Sequence, residues 1–194
     1  MTQASFVQDV ATYVGRVRLF QYEDWLRYTA WVGLMMGLFF STTYFVLFGA
    51  FHGVEFPAYV WNVPLGVFIF VVAIAFDTIG HRTVYKEELS KGENLVHHIT
   101  IFAGITSIVT LVVGYHYPSF CRYPAMTLIA LAIFYSAIDE ALHWRRYIQK
   151  HSDRVEMWSH FFIFLGHIIM SLAWWRWFDD GYPGVRATLI AMGY

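Results

Sequence analysis

The chain has 194 residues, of which 58% are hydrophobic, 20% aromatic and only 14% charged, with a formal net charge of -1. This composition is more apolar than that of an ordinary soluble domain, and it predicts an integral membrane protein. The small net charge and the lack of a basic block argue against nucleic acid as a partner. The single cysteine excludes an internal disulfide and a thiolate cluster, so a metal site must use nitrogen and oxygen ligands.

Residues 1–27 are predicted to form an amphipathic leader on the cytoplasmic surface of the membrane, and an ordinary soluble cap is the alternative. Apolar side chains recur in this segment at helical spacing. They are Phe6, Val7, Val10, Tyr13, Val14 and Val17. The segment lacks the apolar core and the small-residue cleavage site of a removable signal peptide, so we expect it to be retained.

Five apolar segments follow, and together they predict an all-α domain over residues 28–178. Spanning a hydrocarbon core of about 30 Å takes roughly 20 predominantly apolar residues. The predicted transmembrane helices one to five are 28–51, 59–76, 99–117, 124–138 and 158–175. Several are bounded by Trp or Tyr, which are enriched at membrane interfaces. Residues 179–194 form a short tail.

The distribution of basic residues predicts the orientation of these helices. Ten of the 13 Lys and Arg residues fall in the leader and in the connections 82–95 and 144–157, which lie on one side of the membrane. The other three are Arg122, Arg176 and Arg186. The positive-inside rule therefore predicts a cytoplasmic amino terminus and an outward-facing carboxyl terminus, in a bacterial or archaeal cytoplasmic membrane.

The chain also matches itself at an offset of 62 residues, with nine identities in thirty positions. The first unit of the match contains Ala75, Asp77, His81, Tyr85, Ser90, His98, Ile101, Phe102 and Gly104. Such rare residue types favour duplication over chance. We therefore predict two helical hairpins, about 59–117 and 121–178, that form a pseudo-twofold four-helix bundle from helices two to five.

Each predicted hairpin places an aspartate four residues before a histidine, so that both side chains project from one helix face. The return helix brings another histidine to the same depth. The six candidate metal ligands are Asp77, His81, His98, Asp139, His143 and His160. One such side chain alone is equally consistent with a hydrogen bond between helices or with solvation at the interface. The symmetric set favours a metal site, since ionisable groups within a membrane are costly.

The second unit carries further candidates that the first lacks. Glu140 precedes His143 by three residues, a spacing that supplies ligands in di-iron bundles, and His167 lies two turns beyond His160. Glu140 is predicted to be a metal ligand, and Glu140 and His167 are predicted to be catalytic. His97 is a further candidate ligand, although the repeat alignment favours the adjacent His98. Glu93 and Glu156 are interpreted as charges that stabilise helix starts.

The Asp-x3-His motifs resemble the C subunit of particulate methane and ammonia monooxygenases, a copper membrane monooxygenase family. The matching segments are Asp77-Thr78-Ile79-Gly80-His81 with His97 or His98, and Asp139-Glu140-Ala141-Leu142-His143 with His160. They cover about a third of the chain, and the interval to the return histidine is longer here. The resemblance implies that these residues bind copper within the membrane.

These patterns predict a metal-dependent oxidoreductase, of the oxygen-activating monooxygenase or hydroxylase type, with a mononuclear or dinuclear copper or iron centre. Its substrate is expected to be lipophilic or small and apolar and to arrive through the lipid bilayer. Tyr85 and Tyr147 would donate hydrogen bonds or relay electrons. Partner subunits or an external electron donor are expected, because the chain has little room for a donor domain.

Two other functions remain open from the sequence. The first is a quinone-linked membrane anchor that binds haem b between opposed histidines. The second is a non-catalytic metal-binding subunit or an ion relay.

Overall fold

The computed structural model describes residues 5–83, 91–150 and 153–194, and within them every regular element is a helix. The α-helices are α1 (Phe6–Gly15), α2 (Tyr22–Phe51), α3 (Asn62–Thr83), α4 (Lys91–Val113), α5 (Pro118–Lys150), α6 (Arg154–Asp179) and α7 (Val185–Ala191). Short 3-10 helices at Arg16–Leu19 and Ala58–Trp61 precede α2 and α3.

Five of these helices are long and apolar enough to cross a membrane, which confirms the all-α class with five candidate spans for the part of the chain that the structure describes. They are Tyr22–Phe51, Ala58–Thr83, Asn94–Val113, Pro118–Gln149 and Arg154–Asp179. The fourth extends well beyond the predicted 124–138 at both ends. Helical hydrogen bonding continues past the apolar run into charged sequence, and this extension contains several of the candidate ligands.

The packing of α3 and α6 depends on two glycines that face each other. A Cβ atom on Gly66 would lie 2.5 Å from the backbone nitrogen of Met170, and one on Gly166 would lie 2.6 Å from that of Phe70. Small residues let helix backbones approach closely, and this contact is a main way for membrane helices to associate. The two backbones therefore cross with no side chain between them.

The helices pair only in part as the predicted hairpins require. The most extensive packing joins α3 to α6 and α4 to α5, while α2 lies against α3 and α5 contacts α6. Among the described residues, α3 and α4 make no comparable contact with each other. The close contact of Gly66 with Gly166 explains why α3 packs on α6 rather than on α4, the next helix in the sequence.

The leader helix α1 packs against the protein, at the end of the bundle where α3 stops and α6 starts. Its Tyr13 is completely buried beside Phe20, Ile79 and Val155. Two ion pairs connect this region to the start of α6: Arg16 with Asp153 at 2.9 Å, and Asp9 with Arg154. Part of the apolar face that predicted a surface helix is thus covered by α3 and α6.

Candidate metal centre

Eight ionisable side chains from four helices gather at the end of the bundle that α1 covers. Helix α3 supplies Asp77 and His81, α4 supplies His97, α5 supplies Asp139, Glu140 and His143, and α6 supplies Glu156 and His160. Six of the eight are less than a tenth exposed, and only the histidines at 81 and 97 are partly accessible. Four carboxylates and four imidazoles are therefore held in one small volume.

The first ligand group consists of Asp77, His81 and His160. The carboxylate of Asp77 lies 3.5 Å from Nε2 of His81 and 3.5 Å from Nε2 of His160. These distances exceed those of a good hydrogen bond. They are close to the separation of about 3.4 Å between two ligands that bind one tetrahedral metal ion. The geometry therefore suits ligands that share an ion.

The second ligand group consists of Asp139, His143 and again His160, and the ligand atoms of each group lie within 4.8 Å of one another. Oδ1 of Asp139 is 4.0 Å from Nε2 of His143, while its Oδ2 is 3.2 Å from Nδ1 of His97. The rings of His143 and His160 stack with their centroids 3.3 Å apart. Because His160 belongs to both groups, the two groups are parts of one site.

Two glutamates border the second group. Oε1 of Glu140 accepts a hydrogen bond from the indole N–H of Trp144 at 2.5 Å, and its Oε2 lies 3.8 Å from Nδ1 of His160. Oε1 of Glu156 lies 3.6 Å from Nδ1 of His143 and 3.4 Å from the guanidinium of Arg146. A carboxylate behind a ligand histidine fixes the ring orientation and tautomer, so Glu156 is placed to orient His143.

The donor set fits a transition-metal ion. Four buried atoms of the cluster have no hydrogen-bond partner among the described residues: Asp77 Oδ1, Asp139 Oδ1, Glu140 Oε2 and His160 Nε2. Buried polar atoms are normally paired, since leaving one unpaired costs about 1–3 kcal/mol. Imidazole and carboxylate together bind iron, copper and zinc well. These atoms are thus available as metal ligands.

The structure places His97 in the cluster and His98 outside it, which reverses the choice made from the repeat alignment. The side chain of His98 is exposed, and its Nδ1–H donates to the carbonyl of Asn94 at 2.7 Å. Adjacent residues diverge by about 100° around a helix, so only one of the two can face the bundle.

Burial along the two return helices explains this reversal. On α4 the buried positions follow His97 by 6, 10 and 14 residues, and they are Ala103, Ser107 and Leu111. On α6 buried positions follow His160 by the same intervals, and they are Gly166, Met170 and Trp174. The inward faces therefore correspond at an offset of 63, whereas the residue identities match at 62.

Two residues of the site were not predicted from the sequence. Glu156 was interpreted as a helix-start charge, although its position four residues before His160 places both on one face. The other is Tyr13, whose hydroxyl is buried against Gly80 without a hydrogen-bond partner in the described residues. Burial, together with the nearby charges of Asp77 and Glu156, raises the pKa of this phenol above its usual value. No local pattern indicates such a long-range contact.

The remaining candidates lie apart from the cluster or outside the described residues. His167 is buried deeper in the bundle, where its Nδ1 lies 3.2 Å from the hydroxyl of Ser136. Tyr85 lies outside the described residues, and Tyr147 is half-buried beside Trp144. The prediction that these tyrosines support the metal stays a prediction.

A cavity of about 500 Å³ adjoins the cluster. Its polar end is lined by Asp77, Asp139 and His160, and apolar side chains of α2, α3 and α4 line most of the rest. The two Asp/His groups that could hold a metal ion therefore face an apolar space within the membrane-spanning part of the protein.

Comparison of the chain with protein-family models, with curated proteins and with solved structures finds no match. The resemblance to the monooxygenase C subunit therefore stays a prediction.

Proposed function

We propose that the protein is a membrane-embedded, metal-dependent oxidoreductase of the oxygen-activating monooxygenase or hydroxylase type, with a dinuclear copper or iron centre. The observation that carries the proposal is the pair of buried Asp/His groups that share His160. Asp77 and His81 would hold one ion, Asp139, His143 and His97 the other, and His160 would lie between them.

The charge of the cluster favours bound cations. The cluster contains four carboxylates, and burying an unpaired charge costs several kcal/mol. A contact with Arg146 offsets part of the charge of Glu156. Divalent cations would offset the remaining negative charge, and the two ligand groups provide places for two of them.

Bound copper or iron would supply the activation of dioxygen, and the protein supplies the surroundings. Glu140 lies close enough to His160 to act as a further ligand or to accept a proton there. The adjoining cavity would hold an apolar substrate away from water. An external reductant or a partner subunit would deliver electrons at the cytoplasmic face, where the positive-inside rule places this end of the bundle.

The packing is also consistent with the proposed duplication. In the proposed duplication, α3 corresponds to α5 and α4 corresponds to α6. A twofold axis along the membrane normal would then place the α3–α6 contact on the α5–α4 contact. These are the two most extensive helix pairs. Asp77 with His160 and Asp139 with His97 would then be equivalent contacts, at 3.5 and 3.2 Å.

Haem b is a poorer fit to this arrangement. Bis-histidine ligation requires a porphyrin ring between two imidazoles. His98 is exposed outside the cluster, the rings of His143 and His160 stack on each other with their centroids 3.3 Å apart, and the paired carboxylates would have no role in haem ligation. A non-catalytic metal-binding subunit or an ion relay uses the same residues and is separated from the proposal by experiment.

The test is metal analysis and turnover of the full chain purified into lipid nanodiscs. We expect two equivalents of copper or iron per chain, no Soret band, and oxygen uptake that depends on a reductant and an apolar substrate. His160→Ala should lower the metal content below one equivalent, because both groups lose a ligand. His116→Ala, which removes an exposed histidine outside the cluster, is the matched control.

Three results would contradict the proposal. Trace metal in the purified protein would rule out the centre, and a strong Soret band would favour haem. Two equivalents of metal without reductant-dependent oxygen uptake would favour the non-catalytic alternative.

A further inference from the structure

The cavity beside the cluster opens sideways, toward the position of the lipid. Its deep wall is formed by buried residues of α5 and α6, whereas at its edge Leu34 of α2 and Val109 of α4 are more than half exposed. Apolar residues exposed on transmembrane helices face lipid tails in a bilayer. A molecule dissolved in the membrane can therefore enter between α2 and α4 without crossing water.

The polar side chain of His167 lines the apolar part of this cavity. His167 is only 4% exposed, its Nδ1 contacts Ser136, and its Nε2 has no hydrogen-bond partner among the described residues. Gly104 lies opposite, where an added Cβ would be 3.8 Å from Nε2. The missing side chain at this glycine leaves space in front of the ring nitrogen.

The position of His167 is separate from the metal-binding cluster. It follows His160 by seven residues, which corresponds to about 10 Å along a helix. An unpaired polar nitrogen in apolar surroundings is costly, so a ligand that supplies a hydrogen bond there gains affinity. The cavity thus has a polar end at the cluster and, deeper in the membrane, a separate polar atom at Nε2 of His167.

We propose that this cavity binds a long-chain aliphatic molecule that carries one hydroxyl or carbonyl oxygen, with that oxygen hydrogen-bonded to Nε2 of His167. The apolar chain lies between α2, α3 and α4 and extends to the cluster. The size of the cavity supports this class, because about 500 Å³ suits a ligand of many carbons. A molecule as small as methane or ammonia would need a cavity little larger than the roughly 30 Å³ that one water molecule occupies in the liquid.

Calling this molecule the substrate rests on the proposed function, but its binding does not. Binding is therefore tested on the full chain in nanodiscs, with and without metal, using a hexadecanol analogue that carries a photoreactive diazirine on its chain. We expect cross-links to residues of α2, α3 and α4 at the cavity. Unlabelled 1-hexadecanol should compete and hexadecane should compete about tenfold less well, because it lacks the hydrogen bond.

Two variants and a matched control test the position of the oxygen. Gly104→Leu should abolish cross-linking, because the added side chain fills the space before His167. His167→Phe should remove the preference for the alcohol over the alkane while keeping the ring volume. Gly33→Leu, an equal change at an exposed glycine of α2 with nothing within 4 Å, should leave cross-linking unchanged. A thermal unfolding midpoint close to that of the unchanged protein shows that each variant has folded.

The results distinguish this inference from the proposed function. Cross-linking that persists in Gly104→Leu, or equal competition by hexadecane and hexadecanol, would refute the assigned site. Specific cross-linking in a protein that binds only trace metal would uphold the binding site and refute the oxidoreductase.

Discussion

Replacing His97 by alanine is expected to weaken metal binding strongly, whereas the same change at His98 is expected to have almost no effect. Nδ1 of His97 lies 3.2 Å from Oδ2 of Asp139 at the centre, while His98 is exposed and bonded to its own helix. Removing even a residue that only orients a ligand lowers metal affinity by about 10- to 100-fold. Removing a ligand should cost at least as much.

The expected effect at His98 follows from its surroundings. A surface substitution away from special contacts changes stability by about 0.5 kcal/mol or less, which corresponds to less than about threefold in an equilibrium constant. The assay is competition for the metal against a chelator of known affinity, with the thermal midpoint as a check of folding. Equal loss of affinity in the two variants, or a larger loss in His98→Ala, would show that the return helix is rotated relative to the structure.

Three further predictions concern packing and the leader helix. Gly166→Val should destabilise the protein by about 1–3 kcal/mol, because the valine side chain would meet the backbone of α3. Gly37→Val, at a position with nothing within 4 Å, should not destabilise it, and thermal unfolding measures both variants. Gly80→Ala should lower the melting temperature, with partial rescue by Tyr13→Phe, which removes the closest atom; additive effects would contradict this contact. Burial raises the pKa of Tyr13 and Tyr182, so above about pH 10 the folded state keeps phenolic protons that the unfolded chain releases. The free energy of unfolding should therefore fall as the pH rises above about 10, and it should fall less steeply in Tyr13→Phe.

Much of the membrane architecture could be predicted because its determinants are local. Spans are long runs of apolar side chains, and the run length required follows from the thickness of a bilayer. The spacing of Asp77 and His81 likewise places them on one helix face without reference to any other helix. Both inferences use only the helical repeat, which is the same in every α-helix.

The relative rotation of the helices could not be predicted in this way. The repeat alignment selected His98 because identical residues matched at one offset, but burial depends on which face of α4 meets α5. Among the described residues, α3 and α4 make little contact because α3 packs on α6 instead. The close contact of Gly66 with Gly166 permits that packing. Gly166 takes part in the repeat match, but nothing in the sequence indicates that it contacts Gly66.

The sequence by itself therefore determined the helical class, the number of spans and the residue types that gather at one end. Only the tertiary structure decided that His97, Glu156 and Tyr13 belong to the site and that a cavity opens beside it. The physical reason is that helical periodicity and hydropathy act within a segment. The rotation and partner of each helix depend instead on close contacts between segments far apart in the chain.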